Sequence, residues 1–274
     1  MTNVLQKLIV FTDLDGTFLD HETYSYQASL ETLNRLKELK VPVIFTTSKT
    51  WAEVRDLQDE VSISEPCIVE NGAAIYLGES DFSQSLYSAP YKVLGKDYNG
   101  ICTFIDQIDQ NLSSHILGFS QMSVSQIIEH TGLPKQKAIK AKDRKASEPF
   151  LWSGNDAELK ILKIKAKEAG LKVLQGGRFY HLLSNVDKSS AIKWLLEKIE
   201  AKYPAIDFHT CALGDGPNDE DMLKTVDTGI VIANPNVTRP NITGATGQIV
   251  YSKRIGPQGW SDELNKLLYE LGPK

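Results

Sequence analysis

One stretch decides the fold that the sequence predicts: Leu8-Ile9-Val10-Phe11-Thr12-Asp13-Leu14-Asp15-Gly16-Thr17. Its apolar first half predicts a buried strand, and two carboxylates follow where that strand should end. Residues i and i+2 of an extended chain project from the same face, so Asp13 and Asp15 can face one small space. Their repulsion would be relieved by a hard divalent cation such as Mg²⁺. This stretch by itself leaves two interpretations open, a capped turn without function and a phosphoryl-transfer site.

The composition is typical of a globular protein. The chain has 274 residues, of which 41% are hydrophobic and 24% charged, and a chain of this length can bury roughly 70 to 75% of its unfolded surface. No stretch approaches the roughly 18 apolar residues of a membrane span, and the first residues do not resemble an export signal. We therefore expect a cytoplasmic protein without a membrane partner. Cys67, Cys102 and Cys211 lie far apart and are expected to be reduced thiols.

The charge balance argues against a nucleic-acid partner. The formal net charge is −5, whereas proteins that bind nucleic acids in general are basic or carry a large basic face. The segment 134–145 is a local exception with six basic residues and one acid. It predicts a helix with Ala138, Ile139 and Ala141 able to face inward. Its basic residues either solvate the helix surface or form one wall of an anion site.

Strands and helices alternate in the first and last parts of the chain. The predicted elements are a strand at 7–12, a helix at 27–40, a strand at 42–47, a helix at 50–60, a strand at 67–70, a helix at 188–201, a strand at 207–213, a helix at 218–225, a strand at 229–232 and a helix at 261–271. This alternation predicts an α/β fold, a Rossmann-like and mostly parallel sheet with helices on both faces. Thr50 and Glu53 predict a capping box at the start of the second helix. Residues 83–184 alternate more weakly and are expected to form an inserted α+β domain, which leaves 1–82 and 185–274 as the core.

Further polar residues are predicted at the same edge of the sheet. Thr47 ends one strand, and Asp215, Asn218 and Asp219 follow another, at the carboxyl ends where open α/β sheets bind ligands. Lys188 begins a helix, where a cation is unfavourable with the helix dipole, so its position suggests a nearby anion. Helix capping or simple exposure explains each of these residues singly as well.

Taken in order, these motifs resemble the haloacid dehalogenase superfamily of phosphatases and phosphotransferases. The resemblance rests on Asp13-x-Asp15-Gly16-Thr17, Thr47, Lys188 and Gly214-Asp215 with Asn218-Asp219. The stretch Val69-Glu70-Asn71-Gly72-Ala73 and the long insert after it are similar to the branch with a type IIB cap. Within that branch the chain resembles the mannosyl-3-phosphoglycerate phosphatases, through Phe11-Thr12-Asp13, Ser48-Lys49-Thr50, Glu70-Asn71-Gly72-Ala73-Ala74-Ile75-Tyr76, Ser147-Glu148-Pro149-Phe150 and Gly176-Gly177-Arg178-Phe179-Tyr180-His181.

The resemblance implies a role for each catalytic residue. Asp13 would attack phosphorus and form an aspartyl-phosphate, which divides one difficult displacement into two. Asp15 would protonate the leaving alkoxide and then activate water. Thr47 and Lys188 would hold phosphoryl oxygens.

The resemblance also implies a magnesium site. Mg²⁺ would be held by the Asp13 carboxylate, the backbone carbonyl of Asp15 and the Asp215 carboxylate. Asn218 and Asp219 would support Lys188 and the metal ligands. The ion would reduce the repulsion between the anionic nucleophile and a dianionic phosphate.

The implied substrate is a small phosphorylated molecule, most closely mannosyl-3-phosphoglycerate or its glucosyl analogue. Such a substrate carries a carboxylate and sugar hydroxyls, so we expect cations and hydrogen-bond donors around it. The candidate residues are Ser48, Lys49, Asn71, Arg144 and Arg178, while His181 is expected to pack or to make a hydrogen bond. The alternatives are a broader sugar-phosphate phosphatase and a catalytically silent binding protein. A monomer and a homodimer are both compatible with the sequence.

Overall fold

The structure is a computed structural model that describes residues 7–175 and 178–272. The Gly176-Gly177 part of the motif quoted above therefore lies outside the described residues. The first part of the chain forms β1 (Leu8–Thr12), α1 (Gln27–Glu38), β2 (Val43–Thr46), α2 (Trp51–Val61), β3 (Cys67–Val69), a 3-10 turn (Glu70–Gly72), β4 (Ala74–Tyr76) and β5 (Tyr91–Val93). The predicted capping box of α2 is present, with the Thr50 side chain accepting from the Glu53 N–H.

The middle of the chain forms a second, smaller sheet with its own helices. Its elements are α3 (Tyr98–Gln107), α4 (Gln110–Ser113), β6 (Ile116–Gly118), α5 (Val124–Thr131), α6 (Lys135–Lys142), β7 (Ser147–Trp152), α7 (Asp156–Glu168), β8 (Leu171–Gln175) and β9 (Tyr180–Ser184). The four strands pair antiparallel in the order β6-β7-β9-β8. Helices α3 and α7 cover one face, where Ile101 and Leu162 are fully buried.

The last part of the chain returns to the large sheet. It forms α8 (Lys188–Lys202), β10 (His209–Gly214), a 3-10 turn (Pro217–Asp219), α9 (Glu220–Thr225), β11 (Thr228–Ala233), β12 (Gln248–Ile255) and α10 (Gly256–Leu271). The eight strands lie in the order β12-β11-β10-β1-β2-β3-β4-β5. They are parallel from β12 to β3 and antiparallel from there to β5, which confirms the predicted mostly parallel α/β sheet.

Strand β1 explains why the sheet is covered on both faces. Its side chains alternate between two hydrophobic clusters, with Leu8 and Val10 in one and Ile9 and Phe11 in the other, and all four are fully buried. The first cluster includes residues of α1 and α10, and the second includes residues of α8 and α9. An uninterrupted apolar strand is therefore required here, because each alternate side chain faces a different layer of helices.

The pairing of β5 supports a later boundary for the inserted domain than the one expected from the sequence. The expected insert begins at 83, but β5 pairs with β4 in the eight-stranded sheet, and the Leu94 N–H donates to the Ala73 carbonyl at 2.8 Å. We propose that the core comprises 7–94 and 185–272 and that the inserted domain, called the cap below, comprises 95–184.

Three other details differ from the sequence predictions. The helix predicted from residue 218 begins as a 3-10 turn and becomes α9 only at Glu220. Ala138 and Ala141 of α6 are buried as expected, but Ile139 is 42% exposed because it lies on the opposite side of the helix. Strand β12 is not among the predicted elements, since it lies at the sheet edge and its apolar run is short, with exposed Lys253 and Arg254 after it. Among the described helices, none has the length and apolar character needed to cross a membrane.

The close approach of two core segments at Gly72 gives a test of this packing. Gly72 has φ +92°, and a Cβ there would lie 2.1 Å from the Asp187 carbonyl oxygen. Gly72→Ala should therefore destabilise the protein by about 3 kcal/mol or more, since backbone strain adds to overpacking. The matched control is Gly132→Ala, where φ is +74° but a Cβ would meet no heavy atom within 4 Å; it should cost only about 1 kcal/mol. Urea unfolding measures both, and equal losses would contradict the described packing.

Candidate active site

The predicted site residues gather at one edge of the large sheet. Asp13 follows β1, Thr47 follows β2 and Asp215 follows β10, while Lys188 is the first residue of α8. Strand β1 lies between β10 and β2, so the carboxyl ends of these three parallel strands are adjacent. All four side chains are buried. The chain therefore concentrates charged groups in a place from which water is largely excluded.

Lys188 connects two of the carboxylates. Its Nζ donates to Asp13 Oδ1 at 2.6 Å and to Asp219 Oδ1 at 2.6 Å, and the side chain is only 1% exposed. Burial by itself would lower the pKa of Lys188, but the two carboxylates outweigh it and raise the pKa above its usual value. The ammonium is therefore kept charged. The position of Lys188 at a helix start suggests a nearby anion. In the structure this anion is the pair of carboxylates of Asp13 and Asp219.

Asp13 lies in a cluster with an excess of negative charge. One oxygen each of Asp13, Asp215 and Asp219 lies within 4.8 Å of the others. Burial raises the pKa of Asp13 well above its usual value; Lys188 opposes that effect, and Asp219 and Asp215 add to it. Three carboxylates share one hydrogen-bonded ammonium within the described part of the chain. A divalent cation would balance the remaining charge, so these donors fit a metal such as Mg²⁺.

Asp215 is held by two donors that the sequence analysis did not assign. Thr17 Oγ1 donates to Asp215 Oδ1 at 3.2 Å, and Asn234 Nδ2 donates to Asp215 Oδ2 at 2.6 Å. Asn234 follows β11, so the rule that polar residues at strand ends form the site would have identified it. Gly16 allows the close approach, because a Cβ there would lie 2.3 Å from Asp215 Oδ2.

Asp219 orders the loop after β10. Its Oδ2 accepts from the backbone N–H groups of Asp215 at 3.1 Å and Gly216 at 3.0 Å, and its Oδ1 accepts from Lys188. A Cβ at Gly214 would lie 2.5 Å from the Asp219 side chain. Asp219 thus caps the turn and also orients Lys188. The sequence left open whether Asp219 is a capping residue or a site residue, and its hydrogen bonds are compatible with both.

Asp15 takes a different direction from Asp13. Its Oδ2 pairs with Lys49 Nζ at 2.8 Å, and its Oδ1 is buried without a hydrogen-bond partner in the structure. The Asp15 carboxylate therefore lies outside the cluster that Asp13 forms with Asp215 and Asp219. Burial would lower the pKa of Lys49, but Asp15 and then Glu53 raise it.

Thr47 and the Asn71 turn complete the core side of the site. Thr47 Oγ1 accepts from the Lys49 N–H at 3.2 Å, and its carbonyl accepts from the Asn71 N–H at 2.9 Å. Asn71 has φ +58° and its Oδ1 accepts from Asn218 Nδ2 at 3.3 Å. These bonds join the ends of β2, β3 and β10 into one polar rim.

Two adjoining cavities lie between this rim and the cap, each of about 590 Å³. The first is lined by Asp13, Asn71, Asp215 and Asn218, and the second by Lys49, Arg144 and Arg178. Asp15, His21, Ser48 and His181 line both cavities. Asp15 is thus placed between the acidic cluster and the basic side of the cap. No pattern in the sequence marks His21, which was not among the predicted site residues.

The cap contributes two guanidinium groups to the second cavity. Arg144 is buried and donates to the carbonyls of Ala141 at 3.0 Å and Ser48 at 3.1 Å. Arg178 is exposed and donates to the His130 carbonyl. Basic segment 134–145 therefore does reach the site, through Arg144 at its end.

His181 lies beside Arg144 as a neutral residue. Burial, with a further contribution from the Arg144 charge, lowers the pKa of His181 to about 3. An uncharged imidazole at a cavity wall can donate one hydrogen bond to a hydroxyl group and accept another, and it does not attract an anion. It adds a neutral surface to the otherwise basic side of the cavity.

Comparisons with known proteins agree with this geometry. A model of the haloacid dehalogenase-like hydrolase family matches residues 10–240. The chain is 36% identical over 270 residues to a glucosyl-3-phosphoglycerate/mannosyl-3-phosphoglycerate phosphatase of Persephonella marina, covering 96% of this chain and 98% of that protein. A protein with the same description from Methanococcoides burtonii is also 36% identical, over 96% of this chain and 97% of its own length. The chain belongs to the haloacid dehalogenase-like hydrolase family.

Solved structures show the same fold at lower sequence identity. A haloacid dehalogenase-like hydrolase from Bacteroides thetaiotaomicron superposes with a TM-score of 0.66 at 16% identity, covering 95% of this chain and 99% of that one. A sugar phosphatase of haloacid dehalogenase subclass IIB gives a TM-score of 0.62 at 16% identity, covering 95% and 98% of the two chains. The match extends across the core and the cap together.

The pKa of Asp215 gives a test of the acidic cluster. Burial, and after it the Asp219 charge, raises the pKa of Asp215 to about 6. Between its usual pKa near 4 and this value the folded state binds more protons than the unfolded state. Without divalent cations, the free energy of unfolding should therefore fall as pH rises from about 4 to about 6, by up to roughly 3 kcal/mol.

The measurement is urea unfolding with a chelator at a series of pH values. Asp215→Asn should remove this part of the pH dependence, and Mg²⁺ should raise the stability of the wild type most at the higher pH values, because ligation favours the ionised carboxylate. Identical pH slopes for the wild type and Asp215→Asn would contradict the proposed electrostatics of the cluster.

Proposed function

We propose that this chain is a Mg²⁺-dependent phosphatase that removes phosphate from a glycosyl-3-phosphoglycerate through an aspartyl-phosphate. The single observation that carries the proposal is the buried cluster around Lys188, which opens into a cavity that ends at guanidinium groups of the cap. The names of the two relatives support the choice of substrate. With a divalent cation to balance its excess negative charge, the cluster suits an anionic phosphate, and the guanidinium groups of the second cavity suit a carboxylate.

Asp13 is the proposed nucleophile. Lys188 holds Asp13 Oδ1 at 2.6 Å, which orients the carboxylate toward the first cavity. The Asp13–phosphorus bond forms as the bond between phosphorus and the ester oxygen breaks. Lys188 and the Thr47 hydroxyl then hold charge that develops on the phosphoryl oxygens.

The metal would be held by the groups that fit it. These are the carboxylates of Asp13 and Asp215 and the backbone carbonyl of Asp15, with Asn218 and Asp219 in support. When bound, Mg²⁺ supplies positive charge between the anionic nucleophile and the dianionic phosphate. Thr17 and Asn234 keep Asp215 in place for this role through the two hydrogen bonds described above.

Asp15 is the proposed acid and base. Its location where the two cavities adjoin supports this role, since the phosphate is proposed to occupy the first cavity and the rest of the substrate the second. In the first step the leaving alkoxide takes a proton from Asp15. In the second step the Asp15 carboxylate takes a proton from water, the oxygen of that water attacks phosphorus, and Asp13 is released together with inorganic phosphate.

The second cavity is proposed to bind the glycosylglycerate group. Its volume of about 590 Å³ lies within the usual range for small-molecule sites. Arg144, Arg178 and Lys49 provide positive charge for the carboxylate, and a guanidinium can contact both of its oxygens. Ser48, with neutral His181, provides hydrogen-bonding groups for sugar hydroxyls.

A panel of phosphate esters tests the substrate assignment. With Mg²⁺ present, kcat/KM for mannosyl-3-phosphoglycerate or glucosyl-3-phosphoglycerate should exceed that for simple hexose phosphates by a factor on the order of 100 or more, because only the former can satisfy the basic side of the cavity. Release of inorganic phosphate is the readout. Comparable rates on hexose phosphates would instead favour the broader sugar-phosphate phosphatase.

Replacement of the nucleophile tests the chemical mechanism. Asp13→Asn keeps the side-chain shape but removes the attacking carboxylate, so turnover should fall by about 10⁴-fold or more while the circular dichroism spectrum is unchanged. Acid quenching of a reaction with ³²P-labelled substrate should trap a labelled wild-type protein and no labelled Asp13→Asn.

The matched control is Asp106→Asn, which changes an exposed aspartate on α3 and should leave both turnover and labelling unchanged. A wild type that releases no phosphate from any ester in the panel would favour the silent binding protein. Normal labelling of Asp13→Asn would show that another residue is the nucleophile.

A further inference from the structure

Glu70 is a buried carboxylate that the mechanism above does not use. It lies in the 3-10 turn that follows β3, and its relative exposure is 0%. Its φ is +53°, in the left-handed region that non-glycine residues rarely adopt. Its backbone N–H donates to the Lys49 carbonyl at 2.9 Å, which fixes the turn against the loop after β2. A strained and fully buried acid next to a catalytic loop requires a physical reason.

The partners of the Glu70 side chain come from the cap. Oε1 accepts from the Lys145 N–H at 2.8 Å, and Oε2 accepts from the Ala146 N–H at 3.1 Å and from the Ser147 hydroxyl at 2.7 Å. These three residues lead into β7 of the cap, whereas Glu70 belongs to the core. One carboxylate therefore ties the two parts of the protein together, and hydrogen bonds to an ionised acceptor are stronger than neutral ones.

The same network reaches the substrate cavity through Arg144. The Ser147 hydroxyl that donates to Glu70 also accepts from Arg144 Nη1 at 3.3 Å. Nη1 also donates to the Ser48 carbonyl at 3.1 Å, so core and cap are joined a second time. Arg144 and Asp15 line the same cavity. One of the three hydrogen bonds that orient the guanidinium therefore goes to a hydroxyl that Glu70 holds in place.

We propose that Glu70 is a positioning residue that holds the cap against the core so that Arg144 faces Asp15 across the substrate cavity. The inference rests on the proposed function in one respect, namely that Arg144 binds the carboxylate of the substrate. Glu70 acts through Ser147 and Arg144 and touches neither the phosphate nor the metal ligands. Its loss should therefore weaken recognition of the leaving group more than the phosphoryl chemistry.

Glu70→Gln tests this proposal with little change in volume. A glutamine has one acceptor oxygen, so its NH₂ group would face the N–H of Lys145 or of Ala146, and at least one of these donors would lose its acceptor. For the glycosyl-3-phosphoglycerate substrate, kcat/KM should fall roughly 10- to 100-fold, mainly through KM. For p-nitrophenyl phosphate, which has no carboxylate to meet Arg144, it should change by less than about threefold.

Glu148→Gln is the matched control. Glu148 is also fully buried and accepts three hydrogen bonds, from the Tyr98 hydroxyl at 2.7 Å, the Ser120 N–H at 2.8 Å and the Ser120 hydroxyl at 2.6 Å. All of these partners lie within the cap, so the variant should leave the ratio of the two kcat/KM values unchanged. Every variant is assayed well below its own Tm.

Ser147→Ala is the second variant, for the case that Glu70→Gln does not fold. It removes the hydroxyl that links Glu70 to Arg144 and should shift the same ratio in the same direction, by about five- to tenfold. The proposal is overturned if the folded variants lower kcat/KM for both substrates by the same factor, or change neither value.

Failure of the proposed function would be visible separately, as a wild type that hydrolyses p-nitrophenyl phosphate but not the glycosyl substrate. In that case the contact between Glu70 and the cap is tested by amide hydrogen exchange at Lys145 and Ala146, measured in the wild type and in both glutamine variants. Faster exchange in Glu70→Gln but not in Glu148→Gln supports the contact between core and cap. If the two amides of Glu70→Gln are protected as well as those of the wild type, the proposal is overturned.

Discussion

The buried ammonium of Lys188 between Asp13 and Asp219 is the interaction on which the rest of the site depends. Asp13 follows β1, Asp219 lies in the 3-10 turn after β10, and Lys188 itself begins α8, so the two hydrogen bonds fix three segments relative to one another. Removing one partner of such a buried pair leaves an uncompensated charge and typically costs about 3–5 kcal/mol. The sheet order, with β1 beside β10, makes this arrangement possible.

Close backbone approaches support the same arrangement. Gly72 lets the turn after β3 contact the start of α8, and Gly16 lets the loop after β1 contact Asp215. Each glycine lies at a positive φ, where a side chain would be strained as well as crowded. The short glycine-containing turns therefore affect the electrostatics of the site, because they determine how closely the charged groups approach one another.

Core and cap divide the chemistry between them. The core supplies an acidic, buried cluster, while the cap supplies Arg144 and Arg178 to the second cavity. Asp15 lies where these two environments adjoin, paired with Lys49 instead of with the cluster. This separation gives two neighbouring aspartates different surroundings, which is the usual physical basis for giving two carboxylates different roles.

The sequence by itself determined the mostly parallel sheet, the order of its motifs and the family, because buried strands, helix caps and polar strand ends have local signatures. The Thr50 capping box of α2 is one such signature, confirmed in the structure. Only the tertiary structure decided which groups meet. The strand-end pattern marks Asn234 as a candidate, but only the packing shows that it bonds to Asp215, 19 residues away, and that Glu70 bonds to Ser147, 77 residues away. Contacts over such separations depend on how the elements pack in three dimensions, for which a local pattern holds no information.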